Sequence, residues 1–368
     1  MAHKVFIAAG FVASLCTAPA HAHHPGTGGN TGGAGPIITL PATTLEAGQV
    51  SVAFLSEYIS LSGLNDADLI AAAAAHQHVH SIRSIASPSL GAAFGFTNDL
   101  MVLVRVPYVR RTDIREGEHE HVHGGGVSNT VAFRGDSAGI GDTTMLAQYR
   151  FFNNPASGTE AAVLFGTRLP TGRTDVRDNQ GLLFETEFQP GSGAVDALVG
   201  AAFTQRFGAW SFDANVLYAF AGDGAQQTNL GNRFNYNAAV SYRLIGAALQ
   251  PAVTTALVHA RTQPPRHGGP GHKHDHSHSH DEAPAKPAPR WIADLVLELN
   301  GEWHDNQVVA GVVDPNSGGN TVYLSPGLRI GYGDVSGFTS IGVPVVNQMN
   351  GLQSKPDYRV VAGLAAAF

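Results

Sequence analysis

Cysteine is almost absent from this 368-residue chain: the only one is Cys16. It lies inside an N-terminal stretch that reads as an export signal, with Lys4 supplying charge, Val5 to Leu15 an apolar core, and small residues after it. Ala13, Ser14 and Leu15 before Cys16 do not form a lipobox, and cleavage is expected after Ala20 or after Ala22. The exported chain then has no thiol, which excludes disulfides and thiolate metal sites. Charge is also scarce. Asp, Glu, Lys and Arg make up 14% of residues, against roughly 25% in an ordinary soluble domain. Long apolar runs are missing too: beyond the signal, none approaches the roughly 20 residues of a spanning helix, and mean hydropathy is -0.03. The formal net charge of -7 and the lack of a basic face exclude nucleic acid as a partner. No GxxxxGKS/T phosphate loop, dinucleotide fingerprint or HExxH pair occurs.

What is present is a period of two. In RFNYNAAVSYRL, Phe234, Tyr236, Ala238, Val240, Tyr242 and Leu244 share one parity, and Arg233, Asn235, Asn237, Ala239, Ser241 and Arg243 the other. That is a strand with one apolar and one polar face. AWSFDANVLYAF splits the same way, with Trp210, Phe212, Val216, Tyr218 and Phe220 opposite Ser211, Asp213 and Asn215. Aromatics gather at the ends of the apolar faces, as interfacial girdles require. Such strands are expected near 50–61, 82–97, 100–111, 139–152, 160–169, 194–207, 210–220, 233–244, 291–303, 321–332, 335–346 and 357–368. About twelve strands, an even number joined by alternately short and long connections, fit an all-β, closed, up-and-down transmembrane antiparallel β-barrel in a bacterial outer membrane.

The polar parity carries charge at mid-strand. Glu57, Arg105, Asp142, Arg150, Arg168, Asp196, Arg206, Asp213, Arg243, Asp294, Glu298, Glu302, Arg329 and Arg359 are the expected lumen-lining residues. Seven arginines and seven acids leave no sign bias for selecting ions. The expected domains are a signal peptide at 1–22, a His/Gly-rich flexible segment at 23–47, and the barrel at 48–368 with a His-rich insert at 261–290. Asn65 to Ala75 reads as a short helix capped by Asn65 or Asp66.

The last strand puts Tyr358, Val360, Ala362, Leu364, Ala366 and Phe368 on one parity and ends on an aromatic, like the signal read by the outer-membrane assembly machinery. Five stretches, GIGDTTMLAQYRFF (139–152), RLPTGRTD (168–175), LNGEWHDN (299–306), SGGNTVYLSPGLRIGYGD (317–334) and NGLQSKPDYRVVAGLAAAF (350–368), resemble the exported barrel family named for the MetA pathway of phenol degradation. The resemblance covers most of the chain from Gly139 onward. It implies an outer-membrane transporter and supplies no catalytic residues; the histidine-rich insertions depart from its common pattern.

Histidines fall in four clusters: His21, His23 and His24; His76, His78 and His80; His119, His121 and His123; and the tract His272, His274, His276, His278 and His280. Alternate imidazoles with nearby carboxylates (Glu118, Glu120, Asp275, Asp281, Glu282) point to weak, multi-site binding of Zn, Cu or Ni, although no cofactor is required. Low-complexity solvent loops are the bland alternative. Cleavage after Ala20 would place His23 third from a free amine, a tetragonal Cu(II) or Ni(II) site. With Phe368 at the periplasmic rim, His76–His80 and His119–His123 fall in outside loops and 245–290 on the periplasmic side.

The expected partners are outer-membrane lipid, the assembly machinery and divalent metal ions; oligomeric state is open. Three readings follow: a channel for small solutes or divalent metal ions with metal-binding loops, a metal-sequestering surface protein anchored by its barrel, or a passive channel for aromatic or other hydrophobic compounds. An enzyme is disfavoured, since no hydroxyl nucleophile stands in an elbow motif beside His259 or His304.

Overall fold

The computed structural model describes residues 35–77, 79–122, 126–246 and 291–368, with the backbone alone at 120–122 and 126. Apart from four two-residue strands, His80–Ser81 among them, the strands are β1 (Val50–Ser62), β2 (Ser84–Gly95), β3 (Leu100–Val122), β4 (Gly126–Ile140), β5 (Thr143–Asn154), β6 (Thr159–Leu169), β7 (Asp196–Phe207), β8 (Trp210–Phe220), β9 (Arg233–Ile245), β10 (Trp291–His304), β11 (Gly319–Tyr332), β12 (Val335–Met349) and β13 (Lys355–Ala367). β4 and β5 share one lane: Tyr108–Val122 of β3 pairs with β4, and Leu100–Arg105 pairs with β5. The barrel is therefore antiparallel with twelve strands, and it closes where β1 pairs β13 from Ser51↔Ala367 to Ser62↔Lys355. No described helix is long and apolar enough to cross a membrane.

Alternation decides which way each side chain points. On β8, Trp210, Phe212, Val216 and Phe220 face outward and exposed, whereas Ser211, Asp213, Asn215 and Ala219 are buried inside. β13 behaves alike, with Tyr358, Leu364 and Phe368 outside and Arg359, Val361 and Ala365 inside. Outer aromatics form two girdles. One lies at the rim bearing the first and last strands' outer ends (Trp210 with Tyr242, Trp291 with Tyr332, Phe94 with Phe96), and the other lies towards the loop rim (Tyr58 with Tyr358, Tyr218 with Phe234). Apolar side chains exposed in two bands about a closed sheet belong in a bilayer, and the protein is an outer-membrane barrel.

Two features depart from the sequence reading. β3 does not stop near Arg111 but runs to Val122, because the chain folds back through β4 as an extended hairpin above the wall. The helix α1 (Asp66–Ala74), capped by Asn65 on the Asp68 amide, lies against this hairpin through Leu69 and Ala72. Secondly, the flexible segment expected over 23–47 is, from Gly35 on, packed inside the barrel. The carboxylate of Glu298 accepts from the amides of Ile37, Ile38 and Thr39 at 2.9–3.2 Å. Leu40 N donates to Asn215 Oδ1, and Ala42 N to Thr204 Oγ1. Gln148 Nε2 reaches the carbonyls of Pro41 and Thr43. Ile37 is buried on Val296, Phe338 and Val361, and Ala42 on Leu146, Leu164 and Leu198.

This segment changes the meaning of the inward charges. Asp213, Arg243, Asp294, Glu298 and Arg329, read from the sequence as lining a wet lumen, are buried. Asp294 is gripped by both Arg243 and Arg329, with Arg329 Nε at 2.9 Å. Buried charges of this kind persist only when paired. Glu298→Ala would strip the buried amides of Ile37 and Thr39 and the part-buried amide of Ile38 of their acceptor. At about 1–3 kcal/mol for each unsatisfied group, the inner segment should lose at least about 3 kcal/mol of docking. Limited proteolysis should then cut near 35–49 while the barrel keeps its heat-modifiable gel mobility; an unchanged digestion pattern would contradict the docking.

Candidate functional site

Above the docked segment the barrel encloses a cavity of about 830 Å³. Its floor is Ile38 and Leu40, whose positions are set by Glu298 and Asn215. One wall is apolar: Leu103 on β3, Leu146 on β5, Leu198 on β7 and Leu217 on β8 point inward, with β6 running between β5 and β7. From β8 onward the lining turns polar, as an amide belt that runs across β9 and β10. Arg359 donates to Asn300 Oδ1 at 2.7 Å, Asn300 Nδ2 to Asn237 Oδ1 at 3.2 Å, and Asn237 Nδ2 to Asn215 Oδ1 at 3.3 Å. Register explains the chain of contacts, since Asn237 stands directly opposite both Asn215 and Asn300. Arg359 also lies 4.2 Å over the Tyr323 ring and 3.7 Å from Glu57.

Of the expected lumen residues, Glu57, Arg105, Arg168, Glu302 and Arg359 line this cavity. Arg105 Nε donates to Ser89, and Arg168 pairs with Asp196 at 3.1 Å. Arg150 and Arg206 converge instead on Glu160 near the opposite rim. Asp142 holds the backbone of the 170–195 loop through the amides of Gly172 and Ser192. There Gly172 and Gly191 meet backbone to backbone: a Cβ on either would fall 2.6 Å from the other. His304 faces inward onto the cavity rather than lying in the interface or a loop.

The mouth is narrowed by the 170–195 loop. Phe188 is buried with Ile114 and Phe184. Its carbonyl accepts from Ser137 Oγ at 2.6 Å, and Arg111 donates to the Gln189 carbonyl at 3.1 Å. Beside Phe188, His80 pairs in register with Glu116 on β3. His80 Nδ1 is 3.3 Å from Glu187, and Nε2 is 3.7 Å from both Glu116 and Glu185. Gln307 donates to Glu187 and, at 2.9 Å, to Asp314, so three loops meet at this point. Burial pulls the His80 pKa down, but hydrogen bonds to Glu116 and Glu187 and the charges of Glu187 and Glu185 outweigh it and hold it well above the usual histidine value.

The histidine clusters are redistributed. His76 and His80, close in sequence, part company: His80 turns to the mouth, and the His76 ring meets that of His119 at 4.3 Å between centroids. His119 lies on the β3 extension, not in a loop, and contacts Asn129 Oδ1 at 2.7 Å through Nδ1. Glu118 is held by Arg134. His21, His23, His24, His78, His123, His259, the tract His272, His274, His276, His278 and His280, and the periplasmic placement of 245–290 from residue 247 lie outside the described residues, as does the His121 side chain. The asparagine belt and the Glu185–Phe188 turn were not singled out from sequence. The inward parity of Asn215 and Asn237 was a signal for the belt; the turn carries no periodic signal.

Phe188→Ala should remove a large buried ring from the mouth. It should cost about 3–5 kcal/mol locally and raise solute flux through the reconstituted barrel; flux equal to or below that of the unmodified protein would count against Phe188 as the constriction.

The family model described as "Putative MetA-pathway of phenol degradation" matches residues 66–280, which takes in the first two of the five stretches quoted above. No curated protein matches. Among solved structures, an outer membrane channel from Pseudomonas putida F1 is 13% identical, with a TM-score of 0.50, covering 89% of this chain and 98% of its own. The β domain of the Bordetella autotransporter BrkA is 11% identical (TM-score 0.40, covering 88% and 100%). LpxR from Salmonella typhimurium is 13% identical (TM-score 0.39, covering 86% and 99%). At such identities the first likeness concerns the fold alone.

Proposed function

This chain belongs to the family named for the MetA pathway of phenol degradation, and from that premise we propose that it is a passive outer-membrane channel for small, largely apolar molecules, aromatic compounds among them. The observation that carries this reading is the cavity. About 830 Å³ lies within the range of small-molecule sites, roughly 300–1,000 Å³, which are mostly apolar with a few placed polar groups. The leucine wall and the Ile38–Leu40 floor would accept a hydrocarbon or aromatic body. Next to the leucine wall, the Asn215–Asn237–Asn300 belt and Arg359 would receive a hydroxyl or carbonyl. No residue here is given a catalytic role. Transit beyond the floor requires the 35–49 segment to shift, so the Glu298 anchor is the barrier on that route.

A metal-collecting loop rim is the second reading. The contact of His76 with His119, which joins two of the histidine clusters, supports it.

Proteoliposomes containing the full chain should admit benzyl alcohol faster than a sugar of larger polar surface, and Leu198→Trp, which overfills the cavity, should remove most of that difference. A barrel that passes both solutes alike, or is unaffected by Leu198→Trp, would overturn the reading.

A further inference from the structure

We propose that His80, Glu185 and Glu187 form a binding site for one divalent transition metal ion of the zinc class at the mouth of the barrel. Their ligand atoms lie within 4.8 Å of one another. Zinc binds imidazole nitrogen and carboxylate oxygen at about 2.0–2.2 Å, so donors on a common ion stand about 3–4 Å apart, and only slight closure is needed. The ring presents a nitrogen to each side: Nδ1 faces Glu187 at 3.3 Å, and Nε2 faces Glu185 and Glu116 at 3.7 Å. Whichever nitrogen takes the ion, the other can donate to a carboxylate, the arrangement that orients metal-binding histidines.

Charge favours a cation here. Glu116, Glu185 and Glu187 surround one imidazole, while Arg134 is already shared among Glu116, Glu118 and Asp178. Arg111 gives hydrogen bonds to the carbonyls of Phe188 and Gln189. Two donors are held in place beforehand, His80 by its ladder pairing and Glu187 by Gln307. The half-exposed Glu185 side chain leaves a route of entry from solvent. One imidazole with carboxylates and no thiolate suits zinc or its neighbours rather than Cu(I). The site uses none of the tract histidines, does not depend on the cavity being a passage, and would cross-link the strand bearing His80 to the 170–195 loop.

The test is calorimetric titration of Zn(II) into the full-length, tag-free protein in detergent, with Co(II) absorption as a second readout. One equivalent should bind ahead of any weaker phase. His80→Asn and Glu187→Gln should each weaken that step at least about tenfold and alter the Co(II) bands. Replacing the five histidines at 272–280 by Asn should leave it intact. Heat-modifiable gel mobility reports whether each variant has folded, and Glu185→Gln serves where His80→Asn does not. Absence of a one-equivalent step, its survival in the ligand variants, or its loss in the tract variant overturns the site.

Discussion

In hydrocarbon every backbone N–H and C=O must find its partner within the protein, and the pairing of β1 with β13 is how this chain meets that demand. With the ring closed from Ser51↔Ala367 to Ser62↔Lys355, no strand edge is left in the wall, and Val50 and Phe368 exchange both backbone bonds at the rim. Closure also commits every side chain to one of two environments. Those of one parity meet lipid, which is why Phe54, Val216 and Leu364 can stay exposed on a stable protein. The others must be accommodated in a space only twelve strands wide.

That inner space is divided between filling and opening. Towards the rim bearing Phe368, the 35–49 segment occupies it, docked by polar atoms of the wall: Glu298, Asn215, Thr204 and Gln148. The Arg243–Asp294–Arg329 cluster beside it is buried, and its members pair with one another. Towards the loops the segment ends in a floor of Ile38 and Leu40, above which the cavity remains. One carboxylate, Glu298, thus anchors the filler and sets the depth of the site.

The wall was legible in the sequence because a period of two is a local property: β8 and β9 match the parity of their residues position by position, and their bounds fall within a residue of expectation. The extension of β3 was not, because above the membrane the alternating greasy face gives way to Arg115, Glu116, Glu118 and His119, whose alternation can be read as a loop. Nor was the docking of 35–49. IITLPATTL has no period, and its amides are claimed by side chains more than a hundred residues away. The mouth illustrates the same limit: His80, Glu187 and Gln307 come from three separate connections between wall strands, and nothing local to any of them announces the others. The histidine spacing drew attention to His80 for its neighbours His76 and His78, whereas its partners in the fold are glutamates.

The central claim is that one parity meets lipid while the other faces a partly filled interior. A nitroxide scan over 210–220 in bilayers tests it most directly, using single cysteines on a background without Cys16. Collision with oxygen should peak at Phe212, Val216 and Tyr218 and fall at Ser211, Asp213 and Asn215, a period of two. A flat profile, or equal access of a water-soluble quencher to both sets, would contradict it.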